Sequence, residues 1–111
     1  MDKLKKYRKI ILDYFEEYSK IKYVNLDAEN IIIADKERDR YELVTVGWEK
    51  YNRIHSSVMH LDIIDGKIWV QNDNTERGVV NVLEEQGVPK SDIVIGYFVP
   101  IMREYAGYAV S

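Results

Sequence analysis

The sequence predicts a single α+β domain, with an N-terminal helix, an antiparallel meander sheet of about four strands, a second helix and a C-terminal extended segment. Two observations indicate this fold. Apolar residues recur at helical spacing near the N-terminus, and from about residue 28 they alternate with a period of two. The Asp65-Gly66 pair between two strand-like runs adds a strong hairpin signal. We expect the domain to span residues 1–111.

The N-terminal helix is indicated by a stripe of apolar and aromatic side chains. The stripe has spacings of three and four residues and contains Leu4, Tyr7, Ile11, Tyr14 and Tyr18. A tyrosine hydroxyl needs a hydrogen-bond partner or contact with water. We therefore expect this helix to lie across the rim of the core.

The strands follow as four short runs at residues 29–34, 41–48, 53–64 and 67–72. Short turns between them favour antiparallel pairing, with one face of the sheet left for helices. A second helix is expected next, with Asp73 or Thr75 as its cap and Gly87 and Pro89 after its end.

The last part of the chain is expected to be extended. Residues 93–99 have the pattern of a strand or extended segment, and Pro100 should break it. Residues 102–111 are rich in small and aromatic side chains and are expected to form a final extended piece on the domain. This C-terminal segment is a further candidate surface for a protein partner.

The composition is that of a folded protein, since hydrophobic residues make up 46% and charged residues 32% of the chain. No run of 18 or more apolar residues occurs, so a membrane span is excluded. The N-terminus does not have the apolar core of a secretory signal. Without cysteine there is no disulfide, thiol nucleophile or cysteine-ligated metal, and a cytoplasmic location is expected.

The charge distribution argues against a dedicated nucleic-acid binder, because the net charge is −3. Residues 1–22 nevertheless carry seven Lys/Arg against four Asp/Glu. This basic helix is either a solvated face or a docking surface for an acidic partner. The candidate partner surface comprises Lys5, Lys6, Arg8, Tyr7, Tyr14 and Tyr18.

The best candidate for chemistry is the pair His60 and Asp62, which a strand would place side by side on one face. The pair could be an acid–base couple, the start of a metal site, or a polar pair on the solvent side of the strand. His55 is expected on the opposite face by strand parity. The wider candidate polar cluster comprises His60, Asp62, Asp73, Glu76 and Arg103.

Two further features have more than one interpretation. Residues 73–76 (DNTE) could hold an ion or could form a turn that caps the second helix, and capping is favoured. The two tryptophans and nine tyrosines could pack the core, contact a partner or a second copy of the chain, or stack on bases. The acidic strand region disfavours base stacking. Phosphate-loop and hydrolase motifs are absent from the sequence.

Five segments keep a specific order along the chain, and Pro100 and Arg103 follow them. They are residues 2–10 (DKLKKYRKI), 37–48 (ERDRYELVTVGW), 60–72 (HLDIIDGKIWVQN), 74–78 (NTERG) and 87–96 (GVPKSDIVIG). Together they resemble the XisI-like family, the fdxN-element excision controlling factors found mainly in cyanobacteria. Where that family usually has GFH-x-P, residues 96–100 have GYFVP. A catalytic or metal role built on that histidine is therefore not expected here.

The resemblance implies control of programmed DNA excision together with a second controlling factor, XisH, and a separate recombinase. It implies no enzymatic activity and no cofactor, since XisH-like proteins are the ones similar to nuclease folds. We expect a non-enzymatic regulatory subunit that binds a protein partner, XisH-like by this resemblance. Alternatives are a direct nucleic-acid-binding accessory that uses residues 3–9, an antitoxin-like neutraliser of a nuclease-like partner, and an enzyme centred on His60 and Asp62.

Overall fold

The computed structural model describes residues 3–111, so Asp2, the first residue of the matching segment 2–10, lies outside the described residues. The elements follow each other in the order α1 (Lys3–Ser19), β1 (Asp27–Asp35), β2 (Arg40–Glu49), β3 (Asn52–Ile64), β4 (Lys67–Asp73), α2 (Val79–Glu85), a single 3-10 turn (Lys90–Asp92), β5 (Ile93–Ile95) and α3 (Pro100–Arg103). The α+β class is confirmed.

In the described part of the chain, five strands form one mixed sheet in the order β1-β2-β3-β4-β5. The first four pair antiparallel, as the short turns predict. β5 pairs parallel with β4, since the chain crosses over through α2 before it returns to the sheet. Only Ile93–Ile95 of the expected segment 93–99 form this strand. The antiparallel meander is therefore extended by one short parallel strand.

Helix α1 covers one face of this sheet. Its side chains Tyr7, Ile11 and Phe15 recur every four residues and are buried, with Phe15 fully inaccessible. They belong to one core cluster with residues of the central strands, among them Leu43, Met59, Leu61 and Ile68. The apolar stripe that predicts the helix is thus also the stripe that packs.

The start of α2 is stabilised by Asp73, one of the two residues expected to cap it, although the N-cap position itself is occupied by Gly78. One carboxylate oxygen of Asp73 accepts hydrogen bonds from the backbone N–H and the hydroxyl of Thr75, at 3.0 and 2.6 Å. The other accepts from the N–H of Val79, the first helical residue, at 2.8 Å. The helix ends before Gly87, whose φ of 93° is in the left-handed region that favours glycine.

Strand β3 contains a bulge. Leu43 of β2 pairs with Met59, but the next residue, Val44, pairs with Ser57, so that Val58 is left over. A bulge of this kind places two residues of one strand against one of its neighbour and breaks the alternation of faces. Odd-numbered residues before Val58 therefore lie on the opposite face of the sheet from odd-numbered residues after it.

The C-terminal segment is not simply extended, which corrects the expectation from its composition. Pro100 does not end regular structure but begins α3, because its fixed φ suits the first position of a helix. Further on, Ala109 lies beside Val94 in an isolated parallel bridge, and its N–H donates to the carbonyl of Ile93 at 2.9 Å. The chain end thus returns to the edge of β5.

Replacing the fully buried Phe15 with alanine should lower the free energy of unfolding by about 3–5 kcal/mol, because the substitution leaves a cavity under α1. Urea denaturation followed by circular dichroism measures the loss. The matched control is Val24→Ala, since Val24 is 96% exposed and its truncation should change stability by less than about 0.5 kcal/mol. Equal losses in both variants would contradict this packing.

Candidate interaction surfaces

The His60–Asp62 pair forms as the sequence predicts, but it is not a solvent-side pair. The Nε2 atom of His60 lies 2.9 Å from Oδ1 of Asp62. The side-chain amide of Gln71 donates to Oδ2 of Asp62 at 3.2 Å. Asp62 is only 3% exposed. Because protein groups already occupy both carboxylate oxygens, the arrangement is that of a satisfied buried carboxylate.

The bulge at Val58 corrects the expected position of His55. Cross-strand partners share a face, and His55 pairs with Val46 while His60 pairs with Glu42. Val46 and Glu42 lie an even number of residues apart, so both histidines are on the same face. Four residues of strand separate the two positions by about 13 Å, too far to ligate one ion.

The candidate polar cluster is only partly brought together. Asp73 accepts a hydrogen bond from the first N–H of α2, and Glu76 is exposed in the turn before that helix. Arg103 instead lies with its guanidinium 5.1 Å from the ring centroid of Trp69, which pairs with Asp62 across β3 and β4. Within residues 3–111 no group of three or more histidine or carboxylate side chains is placed to hold a metal ion.

Two residues of the expected basic partner surface, Tyr7 and Arg8, make contacts within the protein instead. Tyr7 is buried and its hydroxyl donates to Asp92, and burial raises the pKa of Tyr7 to about 12. Arg8 donates to both oxygens of Asp39, at 2.7 and 3.0 Å. Lys5 and Lys6 are exposed, as expected for a docking surface.

Tyr14 and Tyr18 lie where the stripe predicts, at the rim of the core. Both are half-buried, their rings meet edge to face with centroids 6.2 Å apart, and burial raises the pKa of each. Tyr14 lines two grooves of about 460 and 270 Å³ beside α1, to which Arg77 also contributes, and Tyr18 lines the smaller one. The larger groove is lined by Lys6, Lys9, Ile10, Asp13, Tyr14, Glu17, Arg77, Val82 and Gln86.

The largest group of exposed apolar side chains lies at the C-terminal end, which the sequence also indicates as a candidate partner surface. We call residues 97–111 the C-terminal arm. Among residues 3–111, half of the exposed large hydrophobic side chains lie in this arm, namely Tyr97, Phe98, Val99, Ile101, Met102, Tyr105 and Val110. The high proportion of apolar residues after Pro100 indicates this surface in the sequence. Large exposed apolar patches mark interaction sites on proteins of this size.

Arg103 holds the arm in a fixed position. Its guanidinium donates to the carbonyl of Phe98 and to that of Gly96, both at 3.1 Å. At the far side of the arm, the hydroxyl of Tyr108 donates to Glu84 of α2 at 2.7 Å. The exposed apolar side chains are thus presented by an anchored segment.

The described residues form a small α+β protein with one five-stranded mixed sheet. Its candidate functional features are the solvent-exposed surfaces described above. No helix within residues 3–111 has the length and apolar character needed to cross a membrane. The family model described as XisI protein matches residues 1–110. The chain therefore belongs to the XisI family, which confirms the resemblance carried by its segments.

Two solved structures are similar to the chain over nearly its whole length. A XisI-like protein from Anabaena variabilis is 39% identical, with a TM-score of 0.90, and the match covers 97% of this chain and 99% of that one. The fdxN element excision controlling factor XisI from the same organism is 30% identical, with a TM-score of 0.83 and coverage of 99% and 100%. No curated protein matches the chain.

Replacing His60 with alanine should destabilise the fold by about 1–3 kcal/mol, because it removes a partner of the buried Asp62 carboxylate. Denaturant unfolding at neutral pH measures the change. His55→Ala is the matched control, since His55 is exposed on the same face. An unchanged stability for His60→Ala would show that Asp62 does not need this contact.

Replacing Asp39 with asparagine should flatten the acid limb of the stability–pH curve. The Arg8 guanidinium holds the pKa of Asp39 below its ordinary value of 3.8, and Tyr41 also donates to this carboxylate. A depressed folded-state pKa contributes stability that is present above the unfolded value and lost as pH falls through the folded one. Urea unfolding between pH 2 and pH 6 should show a shallower decline below about pH 4 for the variant. Identical slopes would contradict the ion pair.

Proposed function

We propose that this chain is a non-enzymatic controlling factor that acts in programmed DNA excision by binding a protein partner in the cytoplasm. The partner implied by the family resemblance is XisH-like. The observation that carries the proposal is the anchored C-terminal arm with its exposed Tyr97, Ile101 and Tyr105. An ordered apolar surface with aromatic side chains has the composition of a protein interface core.

The arrangement of the polar groups supports a role without chemistry of its own. A catalytic acid–base pair must be able to reach a substrate, and a pocket with converging polar groups usually surrounds it. Asp62 is buried, and its two oxygens are bonded to His60 and Gln71. The two grooves beside α1 contain neither His60 nor Asp62 and are lined by residues of α1 together with Ile21, Arg77, Val82 and Gln86.

Direct binding of nucleic acid is the second candidate, and the exposed Lys5 and Lys6 favour it. Proteins that neutralise phosphates gain affinity from clustered cations. Of the neighbouring cations, however, Lys9 pairs with Asp13 at 2.6 Å and Arg8 with Asp39, so the cluster is partly neutralised within the protein. An antitoxin-like neutraliser of a nuclease-like partner would use the same protein-binding surface as the preferred function.

A negative charge placed in the C-terminal arm should weaken partner binding. We expect Ile101→Glu to weaken co-purification with a co-expressed XisH-like protein at least tenfold, because it puts a carboxylate into an apolar interface. Val24→Glu is the matched control, since Val24 is 96% exposed outside the arm and should leave the complex intact. If the wild-type chain forms no complex, the proposed function is wrong.

A DNA-binding measurement on the wild-type chain distinguishes the protein-binding function from the nucleic-acid-binding one. We expect no appreciable affinity for duplex DNA in fluorescence anisotropy at 50 mM salt. Binding that falls steeply between 50 and 200 mM salt, and that is lost in the double variant Lys5→Glu and Lys6→Glu, would instead support the nucleic-acid accessory.

A further inference from the structure

Strand β1 is an open edge of the sheet. All nine of its residues, Asp27–Asp35, pair with β2 without a register shift. The opposite edge differs, because β5 has only three residues and the chain returns beside it at Ala109. Within residues 3–111, no backbone hydrogen bond reaches the outer side of β1. A long row of backbone donors and acceptors is therefore unpaired there.

The edge carries only one of the usual features that prevent strand addition, namely its three acidic side chains. Natural edge strands are blocked by charged side chains, especially lysine, by proline, by bulges or by short length. β1 has no lysine, arginine or proline in its nine residues and no bulge. Its side chains Ile31 and Ile33 are 37% and 52% exposed and lie on the same face as Val44 of β2. This edge is accessible and apolar at its centre.

We propose that β1 is a docking site for an extended segment of a partner protein, with alternating apolar side chains at its centre and lysine or arginine at its ends. The segment would add to the sheet as a sixth strand. Backbone hydrogen bonds would give affinity, and side chains beside Ile31 and Ile33 would give selectivity. The inference rests on the proposed function, in which the chain acts through a protein partner.

The charges on β1 specify a basic partner. Its ionisable residues are Asp27, Glu29 and Asp35, all acidic. Asp35 is paired with Arg38 at 3.0 Å, whereas Asp27 and Glu29 are exposed beside a shallow depression of about 380 Å³. The depression also contains Arg53, so two carboxylates face one guanidinium there.

Arg53 is already engaged on this side of the sheet. Its guanidinium lies 5.2 Å from the ring centroid of Trp48, and it donates to the carbonyl of Gly47 at 3.4 Å. A net negative charge thus remains at the start of β1. A cation at the end of an added strand would meet it.

A second copy of the chain does not fit this edge as well. Antiparallel pairing of two β1 strands over all nine residues would be centred on Ile31. Asp27 of each copy would then lie opposite Asp35 of the other, and like charges directly opposite each other destabilise a strand pair. The acidic ends therefore favour a basic partner over self-association.

Two synthetic nine-residue peptides test the proposal with the full chain. Both alternate threonine and valine, and they end in lysine or in glutamate at each terminus. We expect the lysine-ended peptide to bind at least tenfold more tightly in isothermal titration calorimetry. It should also slow amide hydrogen exchange in β1 and leave exchange in α1 unchanged. No binding, or equal affinity for both peptides, would overturn the proposal.

Charge reversal on the edge provides the sharper comparison. The double variant Asp27→Lys and Glu29→Lys should prefer the glutamate-ended peptide. The matched control, Glu16→Lys and Glu17→Lys, makes the same charge change on exposed residues of α1 and should keep the wild-type preference. An unaltered preference in the edge variant would overturn the proposal, as would dimerisation in sedimentation with protection of β1 amides.

The two proposals can fail separately. If the chain co-purifies with its protein partner but does not distinguish the peptides, the edge inference is wrong and the proposed function stands. If it distinguishes the peptides but forms no complex with a protein partner, the proposed function is wrong and the property of the edge stands.

Discussion

Helix α1 packs on one face of a five-stranded sheet, and this one-sided burial determines which parts of the molecule remain exposed. Phe15 and Ile11 anchor the helix in the core, while Tyr7 reaches Asp92 near β5 and Arg8 reaches Asp39 before β2. These contacts tie the helix to both halves of the sheet. Within residues 3–111 the opposite face has no comparable helix, so a buried carboxylate there needs partners from the strands themselves.

The candidate interaction surfaces therefore lie at the periphery of the sheet. One edge ends in a long acidic strand, and the other is followed by an apolar arm fixed by Arg103 and Tyr108. A small domain cannot bury every apolar group, and half of the large apolar side chains left exposed within residues 3–111 lie in this arm. The proposed protein contact rests on this group.

Local signals in the sequence predicted most of the fold, because helical stripes, alternation and turn residues act over short distances. They gave α1, the four antiparallel strands and the involvement of Asp73 at the start of α2. They missed the parallel pairing of β5, which depends on a crossover, and the helical turn at Pro100, where proline starts rather than breaks structure. The His60–Asp62 contact was predictable from spacing, but the second partner of the Asp62 carboxylate, Gln71, was not, because it comes from the neighbouring strand β4.

The bulge at Val58 has a consequence for comparing homologues by sequence. The strand keeps His55 and His60 on one face only because a single extra residue lies between Ser57 and Met59. A relative one residue shorter at this point would lose the bulge and keep the same cross-strand pairs, so its core and surface positions would not change. A one-residue gap elsewhere in β3 would instead turn part of the strand over. Gaps placed here in an alignment therefore have a structural meaning that gaps in the 35–39 turn lack.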